Sequence, residues 1–255
     1  MPSLFQIHKT FQRGFMSFRV RYFLSHLSLS FIVGCLTAAT VYWVWYPGVL
    51  AKAVGVSHIF LLLLCIDVTV GPILTLFLAK EGKKGLWFDL VTVVLLQFTA
   101  LIYGIWHIAE GRPVWQTVNI YRVELVKAID MDYTNAQKPF TRNPLGSPRW
   151  AMVRPAKDKK ETSDWIWLEL EKGKSPTQRA ELYQSVDTHW SEISKEILPL
   201  EKLSKYNIKK EIDAVLLKYP EADGFLPMIG GEWDMTVLVS KKEQKILSVV
   251  DLRPW

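Results

Sequence analysis

Three long apolar runs in the first 110 residues constrain this chain more than any other feature. They cover residues 27–46, 56–79 and 86–108. A helix rises about 1.5 Å per residue, so roughly 20 apolar residues cross a hydrocarbon core of about 30 Å. Each run meets or approaches that length. In lipid the backbone amides must pair within their own segment, so each run is predicted to be a membrane-spanning helix. The expected fold is therefore membrane α-helical, with three transmembrane helices and a C-terminal α+β periplasmic domain. The expected divisions are a cytoplasmic basic leader at 1–25, a transmembrane domain at 26–109 and a periplasmic domain at 110–255.

Charge supports this division. Residues 1–109 hold eight of the 31 Lys and Arg and three of the 25 Asp and Glu, so the formal charge of +6 resides mainly there. The rest of the chain is near neutrality and has no basic stripe with interleaved aromatics, which sets nucleic-acid binding aside. Lys9, Arg13, Arg19 and Arg21 precede the first run, and Lys80, Lys83 and Lys84 fill the loop after the second. The loop between the first two runs has only Lys52. Positive charge resists translocation, so the N-terminus and the 80–85 loop are expected in the cytoplasm and residues 110–255 across the membrane. In a bacterium this makes a multi-pass inner-membrane protein. The first run ends in Tyr42, Trp43, Trp45 and Tyr46, an interface belt rather than a small-residue cleavage site, so it reads as a retained anchor. The Phe- and Arg-bearing leader is either an amphipathic surface helix or a frayed tail. Cys35 and Cys65 both lie in apolar runs, so no disulfide framework is expected after residue 110.

The remainder reads as α+β. Residues 115–129 are expected to be one strand, with a Pro-rich loop over 130–163 interrupted by a short strand near 151–154. A further strand is expected at 164–170. Ser175, Pro176 and Gln178 mark a helix start, and that helix is expected to reach residue 188. Two more helices are expected at 191–198 and 208–218. The closing β-branched runs, around the charged turn 241–244, read as a hairpin.

Asp67 is the costliest residue to bury: an ionised carboxylate at mid-membrane costs roughly 3 kcal/mol on an insertion scale. The midpoints of the second and third runs lie near Asp67 and Gln97. These two polar side chains are therefore expected at matched depth, joined by an interhelical hydrogen bond worth about 1 kcal/mol. Gly71 and Pro72 are expected to kink the second helix. Asp89 lies one turn inside the third, near cytoplasmic water and favoured by the helix dipole. In the first run Gly34 and Ala38 form a small-xxx-small pair. With no buried polar group expected on that helix, the pair is a candidate docking face for a partner helix; internal packing is the alternative. No catalytic constellation, metal set or cofactor motif emerges, since the five histidines are scattered and no phosphate loop or nucleophile elbow is present. The sequence does not set an oligomeric state.

Several strings carry a family resemblance. They are the I-D-V-x-x-G-P string at residues 66–72, Leu96-Gln97, the Arg112-Pro113 exit, and the closing GFLPMIGG and DMTVLVSKKEQKILSVVDLRPW. With them the chain, from about Tyr46 onwards, resembles the type IV pilin accessory proteins of Gram-negative bacteria, the TfpX/TfpZ or FimB-like family. The resemblance implies a non-enzymatic inner-membrane factor that assists assembly of a type IV pilin subunit, and it carries no cofactor or active site. The pilin subunit and the lipid bilayer are the implied partners: the pilin helix would be held in the bilayer and its head met by the periplasmic domain. Two other classes stay open, a membrane enzyme or proton-coupled device using Asp67 and Asp89, and a ligand sensor signalling through the third helix.

Overall fold

A computed structural model of the chain describes residues 18–143 and 146–255. The leader up to residue 17, with Lys9 and Arg13 and the candidate amphipathic helix, lies outside the described residues. The described chain forms two compact units. One holds the residues up to Ala39 and His58–Ile108; the other holds Thr40–Ser57 and Ala109–Trp255. This division departs from the expected boundaries, because the segment between the first two spans belongs with the soluble half.

Three helices are long and apolar enough to cross a membrane. Helix α1, Phe18–Ala39, continues into a π-helical segment, Thr40–Trp45. After the short α2, Leu50–Val54, come α3, Val56–Leu78, and α4, Leu86–Glu110. Helix α1 starts well before residue 26, since the apolar side chains around Arg19 and Arg21 extend the run. Helix α3 continues unbroken through Pro72. Small residues admit close packing among the three. A Cβ on Gly34 of α1 would lie 3.1 Å from Leu64 of α3, and one on Gly104 of α4 would lie 2.6 Å from Leu63. Outward-facing Leu, Ile and Phe cover the helices, while Trp87 and Phe88 open α4 and Tyr103 and Trp106 close it. Aromatics at both ends of a span suit the two interfacial zones.

The second unit is built on a seven-stranded sheet of order β4-β3-β1-β2-β5-β6-β7. Its strands are β1 Pro113–Asn119, β2 Arg122–Lys127, β3 Arg149–Val153, β4 Tyr183–Gln184, β5 Gly224–Ile229, β6 Met235–Ser240 and β7 Lys245–Val250. The central β1–β2 hairpin has parallel neighbours on both sides, β3 beside β1 and β5 beside β2; the other pairs are antiparallel. The expected single strand at 115–129 is thus two strands. The chain reverses at Ile120, in the left-handed region at φ 54°, without a glycine or asparagine there to announce the turn.

Two further expectations fail in this unit. Residues 164–170 are not a strand but part of helix α5, Lys159–Lys172. The Asp158 side chain accepts from the Glu161 amide at 2.8 Å, and Gly173 ends the helix in the left-handed conformation. These capping signals outweigh the strand-like Trp-Ile-Trp composition. The helix expected to run from Ser175 to residue 188 is only a pair of 3₁₀ turns followed by β4. The Ser175 amide does donate to Gln178 Oε1 at 3.1 Å. The next amides and carbonyls then pair with Asp132 instead of continuing a helix, Ala180 donating to its carbonyl and Gln178 accepting from its amide. Helix α6, Trp190–Ile193, is shorter than expected, whereas α7, Lys209–Leu216, and the β6–β7 hairpin fall where predicted.

Alternation along β5 and β6 directs Leu226, Met228, Met235, Val237 and Val239 into one core and Phe225 and Leu238 into another with Ile212 of α7. Leu50 and Ala53 of α2 belong to the first of these cores. The Ala53 carbonyl accepts from the amides of Glu232 (2.8 Å) and Trp233 (3.2 Å) in the β5–β6 turn. Through α2 the segment between α1 and α3 is therefore part of the interior of the second unit.

The turn requires glycine at 230 but not at 231. A Cβ on Gly230 would lie 2.0 Å from the Trp233 carbonyl oxygen and 2.8 Å from that of Ala53, both backbone atoms; on Gly231 nothing comes closer than 3.7 Å. Gly230→Ala is expected to destabilise the soluble unit by about 2 kcal/mol and Gly231→Ala by far less. Thermal unfolding of the detergent-solubilised full chain checks the contrast, and equal melting temperatures for the two variants contradict it.

Candidate functional site

The polar residues of the membrane unit converge on Gln97 of α4. Its Nε2 donates to Ser30 Oγ of α1 at 2.9 Å and to the main-chain carbonyl of Asp67 in α3 at 2.6 Å. One amide thereby ties all three spans. The Asp67 side chain, 6% exposed, also faces Gln97, with His26 of α1 nearby. A second polar link joins α1 to α3, with His26 Nδ1 2.6 Å from Thr75 Oγ1. Gly71 makes room for the amide: a Cβ there would lie 1.8 Å from Gln97 Oε1. These groups border a cavity of about 80 Å³ whose rim includes Leu29, Val94 and Phe98.

Asp67 and Gln97 thus lie side by side, with the Gln97 amide donating to the Asp67 main-chain carbonyl and the Asp67 carboxyl facing the same amide. Ser30 and His26 join them, so the expectation that the first helix has no buried polar group is corrected. Both are one turn apart on α1, and that i, i+4 spacing of a His and a Ser inside an apolar run was the available signal. Gly34 is buried against Leu64 and Val68 of α3, in the manner of the internal-packing alternative, and Ala38 is half-buried. Gly71 serves Gln97, while Pro72 leaves the Val68 carbonyl without its helical donor. Asp89 pairs with Lys83 at 2.5 Å in the first turn of α4. Eight residues separate it from Gln97, about 12 Å along the helix, so Asp67 and Asp89 do not share a site.

The soluble unit holds a larger cleft, about 710 Å³, between α5 and the sheet. Arg154 grips Glu161 through two bonds, 2.9 and 2.6 Å, and lies 5.3 Å from the Trp165 ring. Ile120 and Ile166 line the cleft with more than half their surfaces exposed. None of the α5 residues is fully buried. A β-branched residue held at positive φ, as Ile120 is, stores roughly 1–3 kcal/mol of strain. Among the described residues no cluster of three or more His, Cys, Asp or Glu could hold a metal ion.

Comparison with known proteins gives this geometry a context. The profile of the fimbrial assembly protein FimB matches residues 15–48. The chain is 27% identical to the fimbrial assembly protein of serogroup E1 from Dichelobacter nodosus, over 89% of this chain and 92% of that one. It is 37% identical to the fimbrial assembly protein of serogroups C1 and C2 from the same organism, over 35% of this chain and 70% of the relative. The chain belongs to the FimB family of fimbrial assembly proteins. No solved structure matches it significantly. This FimB-family chain has three helices long and apolar enough to cross a membrane, followed by an α+β domain.

Two expectations follow for this FimB-family chain. Gly71→Ala forces Gln97 out of its seat and is expected to lower the melting temperature of the solubilised protein by several degrees. Adding Gln97→Ala to Gly71→Ala removes the collision and recovers part of that loss; a double variant less stable than Gly71→Ala alone rules the arrangement out. In the soluble unit, bonds from Arg154 and then from the Lys157 amide hold the Glu161 carboxyl down at about 2, against an ordinary 4.5. A carboxyl depressed in the folded state stabilises it above its unfolded pKa, and the gain is lost as pH falls through the folded value. Stability is expected to fall between pH 4.5 and 2, with a shallower slope in Glu161→Gln, as acid-titrated unfolding would show.

Proposed function

We propose that this chain is a non-enzymatic accessory factor of the inner membrane that holds a type IV pilin subunit before or during its incorporation into a pilus. Its N-terminus lies in the cytoplasm and its α+β domain in the periplasm. The observation that carries the reading is the similarity to fimbrial assembly proteins over nearly the whole length of both chains. The lysines at 80, 83 and 84 support the orientation, since they cap the loop opposite the one that joins the soluble domain.

Two surfaces suit a single-span client with a soluble head. The three spans offer a helical face within the bilayer, and the α5 cleft, with exposed Ile120 and Ile166, offers apolar area to the head. An enzyme or proton-coupled device built on Asp67 and Asp89 is less favoured, because the two carboxylates sit on different helices at different depths.

Deleting the gene from a type IV-piliated host is expected to reduce surface pili at least several-fold, with recovery when the full chain is returned. The full chain should co-purify with the host's tagged pilin from detergent-solubilised membranes. Unchanged piliation together with no co-purification overturns the reading. Loss of piliation in Asp67→Asn or Asp89→Asn, at normal abundance and with pilin still bound, transfers it to an ionisable mechanism.

A further inference from the structure

The cavity beside Gln97 is polar at its base and apolar at its rim. Leu29 and Val33 of α1 and Val94 and Phe98 of α4 surround it, and Leu29, Val94 and Phe98 are about half exposed. His26, Ser30, Asp67 and Gln97 form the base, with His26 Nδ1 engaged by Thr75 Oγ1. The cavity thus opens sideways between α1 and α4, on a surface that faces lipid.

A buried polar group left without a partner at the base of a cavity open to hydrocarbon is unfavourable unless something completes it. Its inventory shows what is missing. Both N–H donors of the Gln97 amide are engaged, by Ser30 and the Asp67 carbonyl. The Asp67 carboxyl already meets Gln97 and His26, whereas Gln97 Oε1 is a buried acceptor with no hydrogen-bond partner among the described residues. The complement is a hydrogen-bond donor. About 80 Å³ accommodates one short polar side chain and not a helix backbone.

We propose that this cleft is an intramembrane docking site that receives one donor-bearing side chain, a hydroxyl, amide or ammonium, projecting from the membrane span of the pilin subunit. Leu29, Val94 and Phe98 pack around the incoming helix, and the Asp67 and Gln97 level sets its depth. In lipid such a contact selects register better than apolar area does, because tails and leucines are equally apolar. The inference rests on the pilin-binding reading above and specifies where the pilin span sits.

The test is site-specific photocrosslinking of the full chain in membranes that also carry its pilin. The probe replaces Leu29 or Phe98 at the rim, or, for comparison, Leu62 or Ile73, which are exposed on another face of α3. Pilin adducts are expected at Leu29 and Phe98, at least several-fold above Leu62 and Ile73. Leu29→Trp, combined with the probe at Phe98, fills the cleft from its rim without disturbing the base and is expected to abolish the adduct at normal abundance. Asp67→Leu should do the same where the protein still accumulates. Pilin adducts at Leu62 or Ile73 instead of the rim overturn the cleft while preserving pilin binding. Adducts with lipid alone at all four positions overturn the cleft and remove support for pilin binding in the bilayer. A rim adduct insensitive to Leu29→Trp also overturns the proposal.

Discussion

The carbonyl of Ala53 accepts two amides from the β5–β6 turn, and much of the second unit depends on that junction. Through it a stretch of chain between two membrane spans becomes part of a sheet formed almost 200 residues later. Gly55 caps α2 in the left-handed conformation, Gly230 allows the backbones to meet, and Lys52 pairs with Asp251 at 2.5 Å. Leu50 and Ala53 then fill the core below. A soluble domain cut from the chain at Glu110 would lack part of its own interior.

Within the bilayer the corresponding constraint is the satisfaction of polar groups where water is absent. Gln97 meets it by bonding to both other helices, with Gly71 leaving space for the amide. The His26–Thr75 contact adds a second link from α1 to α3. These interactions specify the arrangement of spans more than they stabilise it, since each is worth about 1 kcal/mol. The same economy explains the cleft. A cluster that uses its donors internally and leaves an acceptor at a lipid-facing opening is suited to a partner that supplies the donor.

What was legible in the residues follows from how local each signal is. The spans were visible because twenty consecutive apolar residues have few other uses. The proximity of Asp67 and Gln97 was legible because a short loop fixes the register of α3 against α4. The final hairpin and α7 were visible because β-branched runs and a helix bounded by Ile208 and Pro220 are local patterns. Residues 164–170 are helical despite their aromatic and β-branched composition because the Asp158–Glu161 cap starts a helix before them. The helix from Ser175 failed because a start signal does not ensure propagation when Asp132 competes for the same backbone groups. The roles of Ser30 and His26 are not legible in the sequence, because a polar residue in a span shows its orientation only when its neighbours are placed.

Sequence alone determined that the chain has three helices long and apolar enough to cross a membrane and that the part after them mixes helix and sheet. Those conclusions rest on hydrophobic length, alternation and helical rise, which are properties of contiguous residues. Only tertiary structure decided that Thr40–Ser57 belongs to the soluble unit, that Gly34 faces α3, and that Gln97 bonds a main-chain carbonyl and Ser30 together. These are contacts between segments distant in the chain. Their formation depends on which surfaces fit once the helices and strands exist, and no local pattern of side chains encodes that fit.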